Sequence, residues 1–277
     1  MPSGSAAAND SPPAGKWNYG GKLGPVFWGD IDPAWTLCKT GTSQSPIDIP
    51  SSVEAGTKTK GKAKRKGKAK AKAKRKAKDK DKDKTKTKAE AVMGKLAIDY
   101  LPIPLRIRNT GLTVQIENIG NNYISIGKKR YELLGFHFHS PSEHTIAGKR
   151  YDLEMHLVHK AADEMLAVVT VLFEKGKAND ALKGVWKKMP KKVADEAMDV
   201  GGKPVDLAPF TVLTQGYYQY SGSLTTPPCS EGVTYFVLAQ IHEIAEKQVK
   251  QFRDLTNGRT NRLIQPLGER NVMMLKP

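Results

Sequence analysis

The chain has 277 residues, 39% of them hydrophobic, and is long enough to enclose a sizeable core. Its formal net charge is +17, but residues 57–88 hold sixteen lysines and two arginines against three aspartates, a charge of +15, which leaves +2 for the remainder. A nearly neutral remainder argues against specific nucleic-acid recognition by the folded domain, and the lack of a run of about 18 apolar residues excludes a transmembrane segment.

The chain begins with a predicted disordered leader, residues 1–15, which is small, polar and Pro-containing. It lacks the cationic start and apolar stretch of a signal peptide, so either the signal is missing from this sequence or the protein is not exported. We predict one domain over residues 16–277, interrupted by residues 54–91, the Lys-rich insert.

Lysine occupies every even position of the insert from 58 to 88. Lysines four residues apart would repel each other in a helix, and the small or polar residues between them give a strand almost nothing to bury. We expect the insert to be extended and solvated. It is either a spacer without a partner or a tether to a polyanion or surface.

Two cysteines, Cys38 and Cys229, lie on either side of the insert. Their spacing alone leaves open two free thiols or one long-range disulfide.

Short runs rich in Val, Ile, Tyr and Phe follow the insert and are separated by Gly, Asn, Pro and Lys, a pattern typical of antiparallel strands. The predicted strands are residues 112–118, 123–126, 130–139, 151–159, 166–173 and 233–241. Only residues 179–189 and 244–255 are predicted helices. The predicted fold class is mostly β (α+β): a single domain around a central, mainly antiparallel twisted sheet with a few surface helices.

Five of the six histidines fall between His137 and His159. His137 and His139 alternate with Phe138 on one predicted strand, so both side chains point to the same face, with Cβ atoms about 6.5–7 Å apart. His156 lies on the next predicted antiparallel strand and can reach the same ion. Three imidazoles without a Cys ligand leave a fourth position open, as in a catalytic zinc site. We predict that these three histidines bind Zn²⁺.

Glu154 stands two positions before His156, on the same predicted strand face. It is predicted to accept the second ring N–H of His156, because zinc-binding histidines usually donate that hydrogen. Its apolar neighbours favour a buried, paired acid over a solvated one. His144 and His159 are interpreted as structural histidines, hydrogen-bonded within the fold.

Several motifs stand in order between residues 16 and 275: WNYG at 17–20, QSPIDI at 44–49, FHFHSPSEHT at 136–145, EMHLVH at 154–159 and SLTTPPCSEGVT at 223–234. Together they resemble the α-carbonic anhydrases, particularly the bacterial ones. The resemblance implies reversible hydration of CO₂ to bicarbonate and a proton by zinc-bound hydroxide, in a cone-shaped site on the predicted sheet.

The resemblance also implies the roles of residues that the pattern alone would not single out. Thr225 would accept the hydroxide's proton and donate its own hydroxyl hydrogen to Glu143, and sulfonamides would inhibit the enzyme. Thr226 would lie beside the substrate. An apolar wall would receive CO₂, formed by Val158, Val168, Leu224 and Val233.

By the same resemblance, Cys38 and Cys229 form a disulfide. This pairing favours a periplasmic or secreted protein whose signal peptide is absent from this sequence.

Four positions depart from the family pattern. Leu112 replaces a proton-shuttle histidine, and Gly135 replaces a glutamine that accepts a hydrogen bond from the first ligand. Tyr235 replaces a tryptophan and Gly268 an asparagine. No ligand is lost, so we expect an active but slower enzyme. The alternative, a non-catalytic binding protein on this fold, is disfavoured because the ligands, Thr225 and Glu143 are all present.

Overall fold

The computed structural model describes residues 16–53, 58–60 and 94–276, and every structural statement below concerns these residues. The predicted leader lies outside them, as does all of the Lys-rich insert except Lys58–Lys60. The helices are α1 Trp28–Ile31, α2 Leu37–Thr40, α3 Lys183–Lys188 and α4 Glu246–Leu255. The strands are β1 Asp48–Ile49, β2 Lys58–Lys60, β3 Leu96–Asp99, β4 Arg106–Asn109, β5 Val114–Glu117, β6 Tyr123–Ile126, β7 Lys129–His139, β8 Thr145–Ile146, β9 Lys149–Arg150, β10 Leu153–Lys160, β11 Leu166–Lys175, β12 Met198–Asp199, β13 Tyr217–Ser223, β14 Glu231–Ile244 and β15 Asn271–Leu275.

One large sheet contains twelve of these strands. Its main order is β12-β4-β5-β7-β10-β11-β14-β13-β15-β2, and β6 joins β3 to β7. Neighbours in this sheet are antiparallel except β11 and β14, which are parallel. A small second sheet has the order β1-β8-β9. The prediction of a mostly β fold around a mainly antiparallel sheet is confirmed.

The central strands are buried on both faces, and side-chain alternation divides them between two apolar clusters. On β11, Val169 and Val171 belong to the larger cluster, whereas Val168 and Leu172 belong to the smaller one. On β10, Leu157 faces the larger cluster, so His156, its immediate neighbour, faces the opposite side. Phe138 on β7 also faces the larger cluster, so His137, His139 and His156 all lie on the sheet face that carries the smaller cluster.

The two predicted helices are both shorter than expected. Asn179 accepts the N–H of Leu182 at 3.3 Å, so the chain turns before α3 begins at Lys183. Pro190 follows the helix closely, and the residue preceding a proline disfavours helical backbone. Ile244 belongs to the end of β14 rather than to α4, which begins at Glu246.

Strand β2 corrects part of our expectation for the Lys-rich insert. Its three residues pair antiparallel with Asn271–Met273 of β15 at the edge of the sheet, although we expected the insert to remain solvated and outside any strand. An edge strand offers unpaired backbone N–H and C=O groups, and pairing with them does not require apolar side chains.

Cys38 and Cys229 form a disulfide, with Cα atoms 5.0 Å apart. The bond joins α2 to the turn that precedes β14, as the resemblance implied. No helix in the described ranges has the length and apolar character needed to cross a membrane.

Candidate metal centre

Three imidazoles converge on one face of the sheet. His137 and His139 lie on β7, and His156 stands directly opposite His137 on β10. Their ring centroids are 4.8 to 5.4 Å apart, and one ring nitrogen from each lies within 4.8 Å of the others. The structure thus brings together the three histidines that were predicted as ligands.

The ring of His139 is held by a backbone carbonyl. Its Nδ1 lies 2.6 Å from the carbonyl oxygen of Thr260, and because a carbonyl can only accept, Nδ1 carries the hydrogen. Nε2 therefore carries a lone pair, and this buried atom has no hydrogen-bond partner within the described part of the chain. Burial lowers the pKa of His139, which favours the neutral imidazole that a metal requires.

His156 is held by a carboxylate. Its Nε2 donates to Oε1 of Glu154 at 2.5 Å, so Nδ1 carries the lone pair. Burial opposes protonation of this ring, but the Glu154 carboxylate outweighs burial and raises the pKa of His156. The predicted hydrogen bond is present, and its role in orienting a metal ligand stays a prediction.

Glu154 accepts four hydrogen bonds. Oε1 also accepts from Nδ1 of His144 at 2.7 Å, and Oε2 accepts the backbone N–H groups of Glu143 and His144, each at 2.8 Å. Burial alone would raise the pKa of Glu154, but His144 and His156 hold it well below its usual value. His144, Glu154 and His156 also lie close enough to suggest a metal site. Because both oxygens of Glu154 are already used twice, the carboxylate acts as an acceptor rather than as a ligand.

His137 lacks a comparable partner. Neither of its ring nitrogens makes a hydrogen bond to the residues that the structure describes, and Gly135, two positions earlier, has no side chain to offer. A β-carbon at Gly135 would collide with the backbone oxygen of Ile116 on β5, so a larger residue there requires the two strands to shift. Burial, and then the neighbouring His139, lowers the pKa of His137 well below its usual value.

Glu143 places an unpaired oxygen among the imidazoles. Its Oε1 accepts the backbone N–H of Arg262 at 2.8 Å, whereas Oε2 is buried without a hydrogen-bond partner in the described residues. Oε2 lies 3.5 Å from Nε2 of His139 and 4.0 Å from Nδ1 of His156. The expected hydrogen bond from Thr225 is therefore not made to Oε2, and the role of Thr225 stays a prediction.

Lone pairs thus face one another with no hydrogen between them. Nε2 of His139, Nδ1 of His156 and Oε2 of Glu143 are all acceptors in a buried space, an arrangement that is unfavourable without a cation or a donor among them. A metal ion bound to the nitrogens satisfies their lone pairs, and nitrogen donors without thiolate suit zinc.

A cavity of about 340 Å³ leads to the imidazoles. Its lining includes His137, His139, Val158, Thr226 and Leu112. Val168 and Val233 are buried behind it in the same apolar cluster, against which Val158 and Leu224 pack. A larger cavity of about 590 Å³ lies beside α3, and none of the described residues that line it is a histidine.

A model of the eukaryotic-type carbonic anhydrase family matches residues 23–276. The chain belongs to this family, the α-carbonic anhydrases. It is 34% identical over 269 residues to a carbonic anhydrase from Pectobacterium carotovorum, an alignment that covers 97% of this chain and 93% of that protein.

Solved structures give the same assignment. The α-carbonic anhydrase from Thermovibrio ammonificans, solved in complex with the inhibitor sulfanilamide, is 34% identical, with a TM-score of 0.75 and coverage of 93% of this chain and 98% of that one. Dioscorin complexed with ascorbate also shares the fold, with 28% identity, a TM-score of 0.73 and coverage of 94% of this chain and 98% of that chain. Because the fold accommodates different ligands, the function must be argued from the site.

Two residues that the sequence did not single out support this carbonic anhydrase site. Thr260 is 121 positions from His139, and Arg262 is 119 positions from Glu143, so no local spacing could have connected them. His144 was interpreted as structural, and it does bond within the fold, to Glu154 and to the hydroxyl of Tyr220 at 2.6 Å.

Two of the family departures have a local explanation. Tyr235 stacks on Tyr220, with ring centroids 5.1 Å apart, and its hydroxyl donates to the carbonyl of Ser223 at 2.8 Å. Gly268 has φ of 62°, a left-handed conformation that glycine and asparagine both adopt readily.

Proposed function

We propose that the chain catalyses the reversible hydration of CO₂ to bicarbonate and a proton at a zinc ion held by His137, His139 and His156. The observation that carries the proposal is the convergence of three imidazoles beside the unpaired Oε2 of Glu143. Three nitrogen ligands would leave a coordination position open for the reacting oxygen, as in catalytic rather than closed structural zinc sites.

Zinc in such a site supplies Lewis acidity that makes water a nucleophile at neutral pH, for which carbonic anhydrases are the usual example. The protein's own groups orient the reactants. The Thr260 carbonyl and the Glu154 carboxylate fix two imidazoles in the tautomers that present their lone pairs. The backbone N–H of Arg262 fixes Glu143. We propose that during the reaction the Glu143 carboxylate accepts the hydroxyl hydrogen of Thr225, whose oxygen in turn accepts the hydrogen of the attacking oxygen.

Carbon dioxide is apolar, and the proposed binding surface matches it. Val158 reaches the cavity, Leu224 is partly buried, and Val168 and Val233 form the packed layer behind them. We propose that these four residues hold CO₂ without water and that Thr226 lies beside it. Attack of one oxygen from water on the carbon gives bicarbonate and releases one proton.

Three substitutions test the zinc assignment. His137→Ala, His139→Ala and His156→Ala should each lose most bound zinc and all measurable CO₂ hydration, because two imidazoles cannot hold the open site tightly. His242→Ala is the matched control, since His242 lies on β14 against Phe173 and Phe210. Metal analysis and stopped-flow hydration should find the control unchanged. Full activity in any of the first three variants would overturn the assignment.

Sulfonamide inhibition is a second consequence of the open position. The relative from Thermovibrio ammonificans was solved with sulfanilamide, which supports a site that accepts this class. We expect sulfanilamide to inhibit hydration by this chain and to lose its binding in the His156→Ala variant.

We also propose a location and a role for the insert. The Cys38–Cys229 disulfide supports an oxidising compartment, the periplasm or the cell exterior. The charge of +15 over residues 57–88 supports a tether to a polyanionic surface.

Deleting residues 54–91 should leave CO₂ hydration intact and abolish salt-sensitive retention on a polyanionic resin. A control chain with glutamine at the even positions 62–88 keeps the insert's length, and it should behave like the deletion. Equal retention of all three chains would exclude the tether.

A further inference from the structure

Each CO₂ hydrated releases one proton, and among the described residues that line the active-site cavity no side chain is suited to remove it. Apart from His137 and His139, the described residues of its lining offer no imidazole, carboxylate or amine. Leu112 lies in that lining, at the position where the family pattern has a shuttle histidine, and leucine cannot carry a proton. The described part of the lining therefore favours a proton acceptor from solution.

A second cavity, of about 380 Å³, adjoins the first at this point. Leu112 and Tyr19 line both cavities, so the second one lies directly beside the position of the missing histidine. Among the described residues that line it, Arg259 carries the one charged side chain.

The second cavity presents hydrogen-bond donors that the described residues do not use. Nε of Arg259 donates to Asn261 at 3.4 Å, but its two terminal nitrogens make no hydrogen bond or ion pair with any residue that the structure describes. Asn18 uses its Oδ1 to accept the N–H of Gly20 at 2.8 Å, which leaves its amide NH₂ free of a described partner. Asn257, exposed and with φ of 56°, also lines the cavity.

The surrounding charges also favour an anion. Arg150 lies close enough to Arg259 for their repulsion to add to burial in lowering the pKa of Arg150. The carbonyl end of α4 opposes an anion, but Arg253 in its last turn offsets that dipole. The nearby Asp254 is paired with Lys250 at 2.7 Å.

We propose that the cavity bounded by Leu112 and Arg259 binds a small oxyanion of the phosphate type, which accepts the proton that the missing histidine would otherwise relay. The inference rests on the proposed function. With phosphate the reaction balances as CO₂ + H₂O + HPO₄²⁻ → HCO₃⁻ + H₂PO₄⁻. Arg259 is a binding residue for the acceptor, and the Asn18 and Asn257 amides add neutral donors.

Direct binding is the first test. Inorganic phosphate is titrated into the zinc-loaded protein and followed by ³¹P NMR, for the wild type, Arg259→Gln and Lys177→Gln. Lys177 is exposed and lies outside both cavities, so its substitution removes the same charge elsewhere. We expect saturable binding, weakened about tenfold by Arg259→Gln alone, because a charge-assisted hydrogen bond is lost. Equal phosphate binding by all three proteins would overturn the proposal. A cavity that binds bicarbonate but does not bind phosphate would also overturn it.

The kinetic test separates this inference from the proposed function. At constant ionic strength, kcat should rise hyperbolically with phosphate, and Arg259→Gln should shift half-saturation about tenfold upward while kcat/KM for CO₂ is unchanged. Imidazole buffer, which is not an oxyanion, should support both proteins equally. A linear, identical phosphate dependence in both proteins would contradict a docking site. Absence of hydration in every buffer would instead refute the proposed function, and the NMR titration would still decide whether the cavity binds phosphate.

Discussion

At the scale of single residues, Glu154 does the most to order the site. It is fully buried and accepts hydrogen bonds from two imidazoles and two backbone N–H groups. The same carboxylate thus orients His156 and fixes the backbone at Glu143, whose other oxygen faces the imidazoles. A buried carboxylate whose lone pairs all accept hydrogen bonds is held in one position. Losing any one of these hydrogen bonds would leave a buried charge without full compensation.

Gly135 stands where the family pattern has a glutamine, and its surroundings leave little room for a side chain. We expect Gly135→Gln to lower the free energy of unfolding by about 2 kcal/mol, because the new β-carbon would collide with the Ile116 backbone. It should not increase activity. Urea unfolding measures the change.

The control for this substitution is Gly184→Ala. Its new β-carbon would meet only ordinary contacts at 3.8 and 3.9 Å, inside helix α3, where alanine is favoured. If the Gly135→Gln variant were as stable as the wild type, strands β5 and β7 would not lie as close together at this point as the structure shows.

Leu112→His tests the missing shuttle. An imidazole titrating near pH 6.5 can relay a proton at neutral pH, so the variant's maximal rate in dilute buffer should rise at least about tenfold. Its kcat/KM for CO₂ should stay nearly constant, because the shuttle acts after hydration. Stopped-flow rates at several buffer concentrations would measure both. If wild-type turnover is already independent of buffer, another group carries the proton.

The sequence predicted which side chains share a face wherever the residues alternate along one strand. His137 and His139 share a face through a spacing of two, as do Glu154 and His156. Thr260 and Arg262 could not be found in this way, because their contacts depend on how the chain returns after α4. The Gly135 collision also depends on a neighbouring strand.

At the scale of elements, β10 places histidines on both of its faces. His156 faces the candidate metal centre, and His159 is buried on the other side. The Nδ1 of His159 donates to the Ala167 carbonyl at 3.3 Å, and its Nε2 accepts from the Tyr100 hydroxyl at 2.6 Å. Burial lowers the pKa of His159 to about 3.

This buried neutral histidine should make the fold sensitive to acid. Unfolded His159 takes up a proton below about pH 6.5, whereas the folded ring does so only near pH 3, so stability falls as the pH drops through this window. Between pH 7 and pH 5 the loss from this residue should be about 2 kcal/mol.

The zinc-loaded His159→Gln variant should lose less stability than the wild type over that interval, as measured by urea unfolding at both pH values. Comparing two zinc-loaded proteins cancels the effect of acid on the metal ligands. Parallel losses in the two proteins would assign the acid sensitivity to other groups.

Elements with clear apolar alternation were predicted well from sequence. Strands β6, β7, β10, β11 and β14 lie close to the predicted ranges. Strand β13 was missed because its sequence, YYQYSGS, mixes tyrosine with Gln, Ser and Gly. It is positioned by pairing with β14 and β15 rather than by its own pattern.

At the scale of the whole molecule, distant segments meet behind the site. The buried guanidinium of Arg262 donates to the Cys38 carbonyl, the Ser45 carbonyl and the side chain of Gln44. Its backbone N–H holds Glu143. The disulfide, the segment after α4 and the candidate metal centre are therefore linked through one residue.

Reduction of the disulfide should lower stability by roughly 2–4 kcal/mol, because the bond closes a loop of 191 positions and restricts the unfolded chain. Thiol titration of the unreduced protein, unfolded in denaturant so that all cysteines are accessible, should find no free cysteine. Comparison of urea unfolding with and without reductant measures the change. Two titratable thiols in the untreated protein would contradict the pairing and favour a reducing compartment.

The sequence predicted the class of fold, since composition and periodicity determine it, whereas the bounds of the Lys-rich insert stay a prediction. The sequence could not predict that Lys58–Lys60 extend the sheet, because a backbone pairing at an edge leaves no signature in side-chain type.

The most direct test of the central claim follows CO₂ hydration while zinc is removed and returned. The rate is measured by stopped flow in the purified protein, again after a chelator has removed the metal, and during stepwise addition of zinc. If zinc at the three histidines is the catalytic metal, activity disappears when the metal is removed and returns in proportion to bound zinc, reaching its limit at one ion per chain. Hydration that persists in the metal-free protein, or that fails to return with bound zinc, would contradict that claim.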